Sequence, residues 1–192
     1  MEFDSIIKKR HSVRSFTKKK TSWKSALDAI DLATQSSFAG NINNLKFIII
    51  EEKETIKKIS ELAEQSWISQ VSLLMIVCSD DVNLERLYGE RGRIYSRQQA
   101  GAAIQTILFK IVDLGLSACW VGSYNDQMIR YLLSIPKHIQ IEAIIPIGYE
   151  DNKAQKQSLR KKSLEKVLYW EKWNTDKRPY FFQEHEDKKA LK

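Results

Sequence analysis

Apolar and polar positions along the chain follow two periods, and the period assigns each segment. In TSWKSALDAIDLATQSS, Ala26, Leu27, Ile30 and Ala33 recur at helical spacing behind Thr21 and Ser22. That predicts a helix over about 22–36 capped by one of those hydroxyls. LKFIIIEE, from Leu45, is a short β-branched run between polar residues and predicts a buried strand. ETIKKISELAEQSW is amphipathic at helical period, and SLLMIVCS is a second buried strand. From Asp80 through Tyr88 to Arg97 the chain is charged without a clear period and reads as irregular, with Asp80-Asp81 as a solvated turn. QQAGAAIQTILFKIVDLGL predicts a long, mostly apolar helix closed by Gly115, and its Ala100–Ala103 stretch leaves room for a close neighbour, helix or ligand. SACWVGS follows as a strand ending in glycine, NDQMIRYLLS as a short helix and IQIEAIIPIGYE as a last strong strand.

Alternating helices and strands imply an α/β or α+β sandwich with at least four core strands. Residues 150–162 are polar and basic, a surface connection, and SLEKVLYWEKW resumes a helical pattern behind Ser163. The end of the chain is aromatic and charged without period. Trp173, Tyr180, Phe181 and Phe182 are expected to pack on a surface, such as a partner subunit's.

Composition narrows the class. With 192 residues, 43% of them hydrophobic, the chain can bury one core. No apolar run reaches the roughly 20 residues that span a bilayer, and the start has no signal-peptide pattern, so a cytoplasmic protein without a membrane partner is expected. Cys78 and Cys119 sit in apolar surroundings without CxxC spacing and read as buried thiols. The net charge of +7 is unevenly spread: +6 over residues 1–24, −3 over 25–149 and +4 over 150–192. Two basic ends suit nucleic acid, an acidic partner or a phosphorylated ligand held where the ends meet, and charge alone leaves the three open.

Several chemistries are not spelled. The seven glycines form neither GxGxxG nor a phosphate-binding P-loop. GxSxG is absent, and His11, His138 and His185 lack HExxH spacing. No metal-binding residues are assigned.

Four islands remain: Arg10-His11-Ser12-Val13-Arg14-Ser15-Phe16; SFAGNINNLKFIII; LGLSACWVG, ending at Gly122; and IIPIGYE followed by RKKSLEKVLYW. In order and spacing they resemble the nitroreductase-like flavoproteins, which bind FMN, over roughly residues 5–173. The resemblance implies an α+β sandwich with a central, mostly antiparallel sheet flanked by helices. Residues 1–173 would be the FMN-binding domain, and 174–192 a C-terminal extension of it wrapping the partner subunit.

Chemistry agrees with that assignment. Guanidinium forks suit a phosphate dianion, which recommends Arg10 and Arg14, with Ser12 a small donor and His11 on the same surface. Arg160 or Lys161, before the last helical segment, would complete the phosphate site. Side-chain amides can donate and accept at the pyrimidine edge of the flavin, the role implied for Asn41 and Asn43 on a loop that also carries Ser37 and Phe38. Trp120, Val121 and Gly122 match the segment whose backbone approaches flavin N5, the atom that carries hydride, so no side chain is assigned as catalytic. The resemblance further implies a homodimer with FMN at the subunit interface, the Ser37–Asn43 loop coming from the other subunit. NADH or NADPH would be the donor, and a nitroaromatic, quinone or similar flat small molecule the acceptor, in a ping-pong cycle.

The sequence departs from the family pattern at Ser37-Phe38, at Asn44-Leu45 and at Gln99, where many members have aspartate, and these changes bear on the wall beside the ring. A specialised relative, a reductive dehalogenase or flavin-degrading enzyme, is the alternative. It would need a lid, for which residues 82–97, with Tyr88, Arg91, Arg93 and Tyr95, are the place. A basic nucleic-acid-binding module without cofactor is the alternative from another class, but nucleic acid is not the expected partner, because it leaves Asn41, Gly122 and Lys161 in register by coincidence.

Overall fold

Four antiparallel strands, β1 (Leu45–Ile50), β2 (Leu73–Asp80), β3 (Ser117–Ala118) and β4 (Ile139–Gly148), form a sheet in the order β1-β2-β4-β3. The structure is a computed structural model and describes residues 2–151 and 163–178. The chain divides into two units, Met1–Ala154 and Gln155–Lys192.

In the first unit both faces of the sheet are covered, which explains why β2 reads as a continuous apolar run. Leu73, Met75 and Val77 enter one core with Ala143, Ile145 and Ile147 of β4; Leu74, Ile76 and Cys78 enter the other with Ile141 and Ile144. The first core is closed by α2 (Lys24–Ala33) and α5 (Arg91–Asp113), through Ala26, Ala29 and Ala33 against Ala100, Ala103, Ile104 and Ile107. Small residues on both helices let their backbones approach. The second core is closed by α3 (Lys53–Leu62) and α6 (Asp126–Leu133), with Ile56, Ile59 and Ile129 inside. α1 (Phe3–Lys9) lies along α5, its Phe3 ring edge-on to Phe109 at 6.0 Å, and α4 (Val82–Tyr88) packs on the start of α5. No helix among the described residues is long and apolar enough to cross a membrane.

β4 gains its second-core residues through a bulge. Val77 pairs with Ala143 and Cys78 with Ile141, so Glu142 has no partner across the ladder. Ile141 and Ile144, three residues apart, thereby face the same core, which a regular strand would forbid.

Several sequence expectations shift. The stretch from 81 to 97 is helical, not irregular: α4, a turn at Gly89 (φ 60) and the first two turns of α5. Apart from Asp81 its charges lie toward solvent, and α4 lies so close that a Cβ at Gly92 would fall 2.4 Å from the Leu84 carbonyl. Among the described residues β1 is an edge strand paired only with β2, so Ile48 and Ile49 are half-buried and only Ile50, at its end, is buried. In α2, Leu27 faces out at 47% exposure and Ala29 takes its place inside. That helix starts at Trp23 without a side-chain cap; Ser22 Oγ accepts only the Lys24 N–H, at 3.3 Å. SACWVGS supplies two residues of β3 and then one bridge, Val121 to Ile144. Gly115 does close α5, at φ 74, with Leu116 N–H returned to the Ile111 carbonyl at 3.0 Å.

In the second unit the expected helix behind Ser163 reduces, among the described residues, to one 3₁₀ turn, Leu164–Lys166. Glu171 and Asn174 take φ of 59° and 65°, which no α-helix accommodates. Tyr169 and Trp173 meet at 4.8 Å between ring centroids, and the Arg178 guanidinium lies 5.5 Å from the Trp170 ring. Tyr180, Phe181 and Phe182 lie outside the described residues.

Candidate functional site

The basic turn is built by an extended segment between α1 and α2. Arg10 N–H closes α1 onto the Ile6 carbonyl at 2.9 Å, and the chain then runs alongside the end of β3. Val13 N–H donates to the Ala118 carbonyl at 3.2 Å, Thr17 N–H to Tyr149 at 2.8 Å, and Asp151 N–H to Ser15 at 3.0 Å. Along Ser12–Arg14 the extended backbone alternates its sides, with Val13 buried at 4% between exposed Ser12 and Arg14, and Phe16 is buried in turn at 6%. Phe16 sits beneath Gly148, where a Cβ would lie 2.9 Å from its ring.

This packing brings Ser12 to the Cys119 thiol, with Arg14 and Arg10 near enough for their charges to act on it. Burial pushes the Cys119 thiol up from its usual range, and Arg14, a hydrogen bond with Ser12, and Arg10 oppose that rise. His11 is held between two acceptors, the Lys9 carbonyl at 2.8 Å from Nδ1 and Glu150 Oε1 at 3.0 Å from Nε2. Glu150 was not singled out from sequence; only the return of β4 beside the turn reveals it.

Trp120 follows Cys119, 40% exposed, its indole reaching α5, where a Cβ at Gly101 would stand 3.8 Å from Cη2. Val121 is buried and exchanges two backbone hydrogen bonds with Ile144, at 2.9 and 3.0 Å. Gly122 is exposed with open space around its missing Cβ, so the backbone after the bridge is accessible. Thus Arg10, His11, Ser12, Arg14, Trp120, Val121 and Gly122 belong to one contiguous region. Arg160 and Lys161 lie outside the described residues.

Ser37, Phe38, Asn41 and Asn43 belong to a separate loop over α5. Phe38 packs against the first core, Ser37 is exposed, and Ala39–Asn41 form a 3₁₀ turn in which Gly40 and Asn41 both have φ 58. Asparagine tolerates that left-handed conformation better than most residues. The Asn41 and Asn43 side chains are exposed, and Asn43 Oδ1 accepts Leu45 N–H at 3.1 Å. The loop is held by Gln99 of α5, whose Oε1 accepts Ala39 N–H at 3.1 Å and whose Nε2 donates to the Ile42 carbonyl at 3.1 Å. From above, Tyr88 and Leu87 of α4 crowd Gly40, where a Cβ would fall 2.8 Å from the Tyr88 hydroxyl. Tyr88 in turn meets Tyr95 edge-on at 5.2 Å. The loop and the basic turn therefore hang from different elements, Gln99 on one side and Ala118 and Tyr149 on the other.

Asp81 is not in a solvated turn. It is 8% exposed and bonded to Ser79, Ser96 and Arg97, and Arg97 also reaches Glu142 at 3.0 Å. Burial raises the Glu142 carboxyl, against the Ser79 hydrogen bond and Arg97. No group of three or more His, Cys, Asp or Glu among the described residues could hold a metal ion.

A family model described as the nitroreductase family matches residues 7–72 and 67–149. A protein of Methanothermobacter thermautotrophicus provisionally named NADH dehydrogenase/NAD(P)H nitroreductase is 30% identical over 154 residues, covering 78% of each chain. The FMN reductase [NAD(P)H] of Bacillus subtilis is 29% identical over 161 residues, 76% of this chain and 64% of its own. Among solved structures, a nitroreductase family protein of Clostridium novyi NT superposes with a TM-score of 0.73 at 24% identity, covering 91% of this chain and 96% of that one.

Proposed function

Since the chain belongs to the nitroreductase family, we propose that it is an FMN-dependent oxidoreductase which takes electrons from NAD(P)H and passes them to a flat organic acceptor, a nitroaromatic or quinone, in two half-reactions at one site. The observation that carries this reading is Ser12 at the Cys119 thiol with Arg14 and Arg10 near enough for their charges to act on it, beside the open backbone at Gly122.

The donor set suits FMN. Arg10 and Arg14 are permanent cations able to grip a phosphate dianion from two sides, and Ser12 adds a neutral donor between them. His11, fixed by Lys9 and Glu150, lines the same surface without freedom to swing away. The exposed amides of Asn41 and Asn43 both donate and accept, as the pyrimidine edge of the ring requires. Trp120 forms a wall, and the missing side chain at Gly122 lets backbone approach the ring. When bound, the flavin supplies the two-electron chemistry. The residues of this chain bind, orient and shield it, and none is assigned as a proton donor or nucleophile.

Two copies complete the arrangement. The loop and the turn hang from different elements within one chain, so a homodimer that brings one subunit's loop to the other's turn assembles the whole set. Exposed Trp23 just ahead of α2, Leu27 on α2 and Ile94 on α5, each 44–53% accessible, provide apolar surface for such a contact.

The test is the visible spectrum of the desalted protein before and after FMN, then anaerobic NADH and NADPH. A protein-bound flavin band that bleaches with either nucleotide is expected. Arg14→Ala should weaken FMN binding by about 10- to 100-fold, the worth of a charge-assisted hydrogen bond. Failure to bind FMN would overturn the reading.

A further inference from the structure

We propose that Gln99 is the positioning residue of the Ala39–Asn43 loop, its amide locked in one orientation by a directional hydrogen-bond chain that ends on the Asp81 carboxylate. The functional half of the proposal rests on the reading that Asn41 and Asn43 meet the flavin ring.

The chain has one possible polarity. A carboxylate only accepts, so Ser96, fully buried, donates its hydroxyl hydrogen to Asp81 Oδ1 at 2.6 Å. Its oxygen must then accept, and Asn44 Nδ2 donates to it at 2.7 Å. With its nitrogen committed, Asn44 presents Oδ1 to Gln99, whose Nε2 donates at 2.6 Å. Gln99 is left with Oε1 facing Ala39 N–H and Nε2 facing the Ile42 carbonyl. A flipped amide would set donor against donor at Ala39 and oxygen against oxygen at Ile42 and Asn44.

Gln99 and Asn44 are 4% and 5% exposed, so water does not repair a broken link. The charged groups facing the chain are Asp81 ahead of α4, Arg97 on α5 and Glu142 on β4; Arg97 bridges both carboxylates and anchors the accepting end. One buried amide thus holds both ends of a turn whose middle residues, Gly40 and Asn41, are left-handed. Without it, the turn keeps only its own backbone bonds, Asn41 N–H to Phe38 and Ile42 N–H to Ala39, each at 3.1 Å, and the tolerance of asparagine for that conformation.

Gln99→Glu tests this with a change of nearly equal shape. As a neutral acid, the introduced side chain can accept from Ala39 N–H and donate to Asn44; ionised, it has no hydrogen to give. Amide exchange over residues 39–43 in cofactor-free protein, followed by mass spectrometry as the variant-to-wild-type ratio at each pH, should rise on the order of tenfold at pH 8 and fall back toward one at acidic pH. β2 and β4 should keep wild-type protection. FMN affinity of the variant should follow the same pH course, weakened on the order of tenfold at pH 8 relative to wild type. Ser96→Ala, which removes only the relay hydroxyl, should raise exchange over the same residues by a smaller factor.

A ratio independent of pH, or unchanged exchange in the loop, overturns the positioning role. A loosened loop with unaltered FMN affinity overturns its connection to the flavin. Wild-type protein that fails to bind FMN refutes the functional reading instead, while the exchange ratios still decide the role of Gln99.

Discussion

Gly92→Ala is a substitution that helix propensity and packing judge with opposite signs. In an unhindered helix, replacing glycine by alanine is worth up to about 1 kcal/mol of stability. At Gly92 the new methyl would stand 2.4 Å from the carbonyl carbon and oxygen of Leu84 and 2.5 Å from Glu85 N. Carbon contacts settle near 3.5 Å, so α4 must retreat by roughly 1 Å. The atoms struck are backbone, so no rotamer change relieves the clash, and Leu84, fully buried, moves with them. Overpacking of this kind costs about 1–3 kcal/mol and outweighs the propensity gain. Gly101→Ala is the control on the same helix: its methyl would be 3.8 Å from Trp120 Cη2, an ordinary contact, and stability should rise by up to about 1 kcal/mol. Urea unfolding of both variants, followed by circular dichroism, reads the difference. Gly92→Ala at or above wild-type stability would refute the packing argument. Because Leu87 and Tyr88 of α4 crowd Gly40, Gly92→Ala should also weaken FMN binding.

Two further outcomes follow from buried acids. Glu142 is raised by burial, so the native state holds its proton longer than the unfolded chain does. The stability it contributes is complete below the ordinary glutamate value of 4.5 and is lost as pH rises through the elevated native value. Glu142→Gln should therefore lag wild type most at acidic pH and close the gap as pH climbs through that window; a gap independent of pH, measured by urea unfolding, would contradict the assignment. The Cys78 thiol is pushed up to about 11, chiefly by burial with Arg130 opposing, and Cys119 is raised as well. At pH 8 neither should react with iodoacetamide in the native protein and both should in denaturant, by mass; native labelling of Cys78 would show its surroundings to be more open than described.

Legibility from sequence followed burial. β2 and β4 were readable because both faces of each are covered, leaving runs of apolar residues with few polar interruptions. β1 carries almost the same residues at an edge, so its pattern overstated its burial. The stretch from Asp81 to Arg97 hid two helices because their exposed faces are charged and carry Leu87 and Ile94 outward; glycine at 92, which announces the close helix contact, looks like a loop residue in a string of letters. At the site, the basic turn and the Asn41 loop were placed by resemblance to the family. What bonds them was invisible: Glu150 meets His11 across 139 positions, and Gln99 meets Ala39 and Asn44 across 60 and 55. No periodicity encodes such pairs, since each needs the sheet order before it exists.

The bulge at Glu142 makes chain length itself a variable. Elsewhere along β4, dropping one residue would invert every side chain beyond it, as losing one letter garbles the rest of a message read in pairs. At Glu142 the ladder already skips a position, so excision would join Ile141 to Ala143 in the pairing they now have with Cys78 and Val77. There a deletion is the conservative change, and a shorter sister sequence could keep the same core.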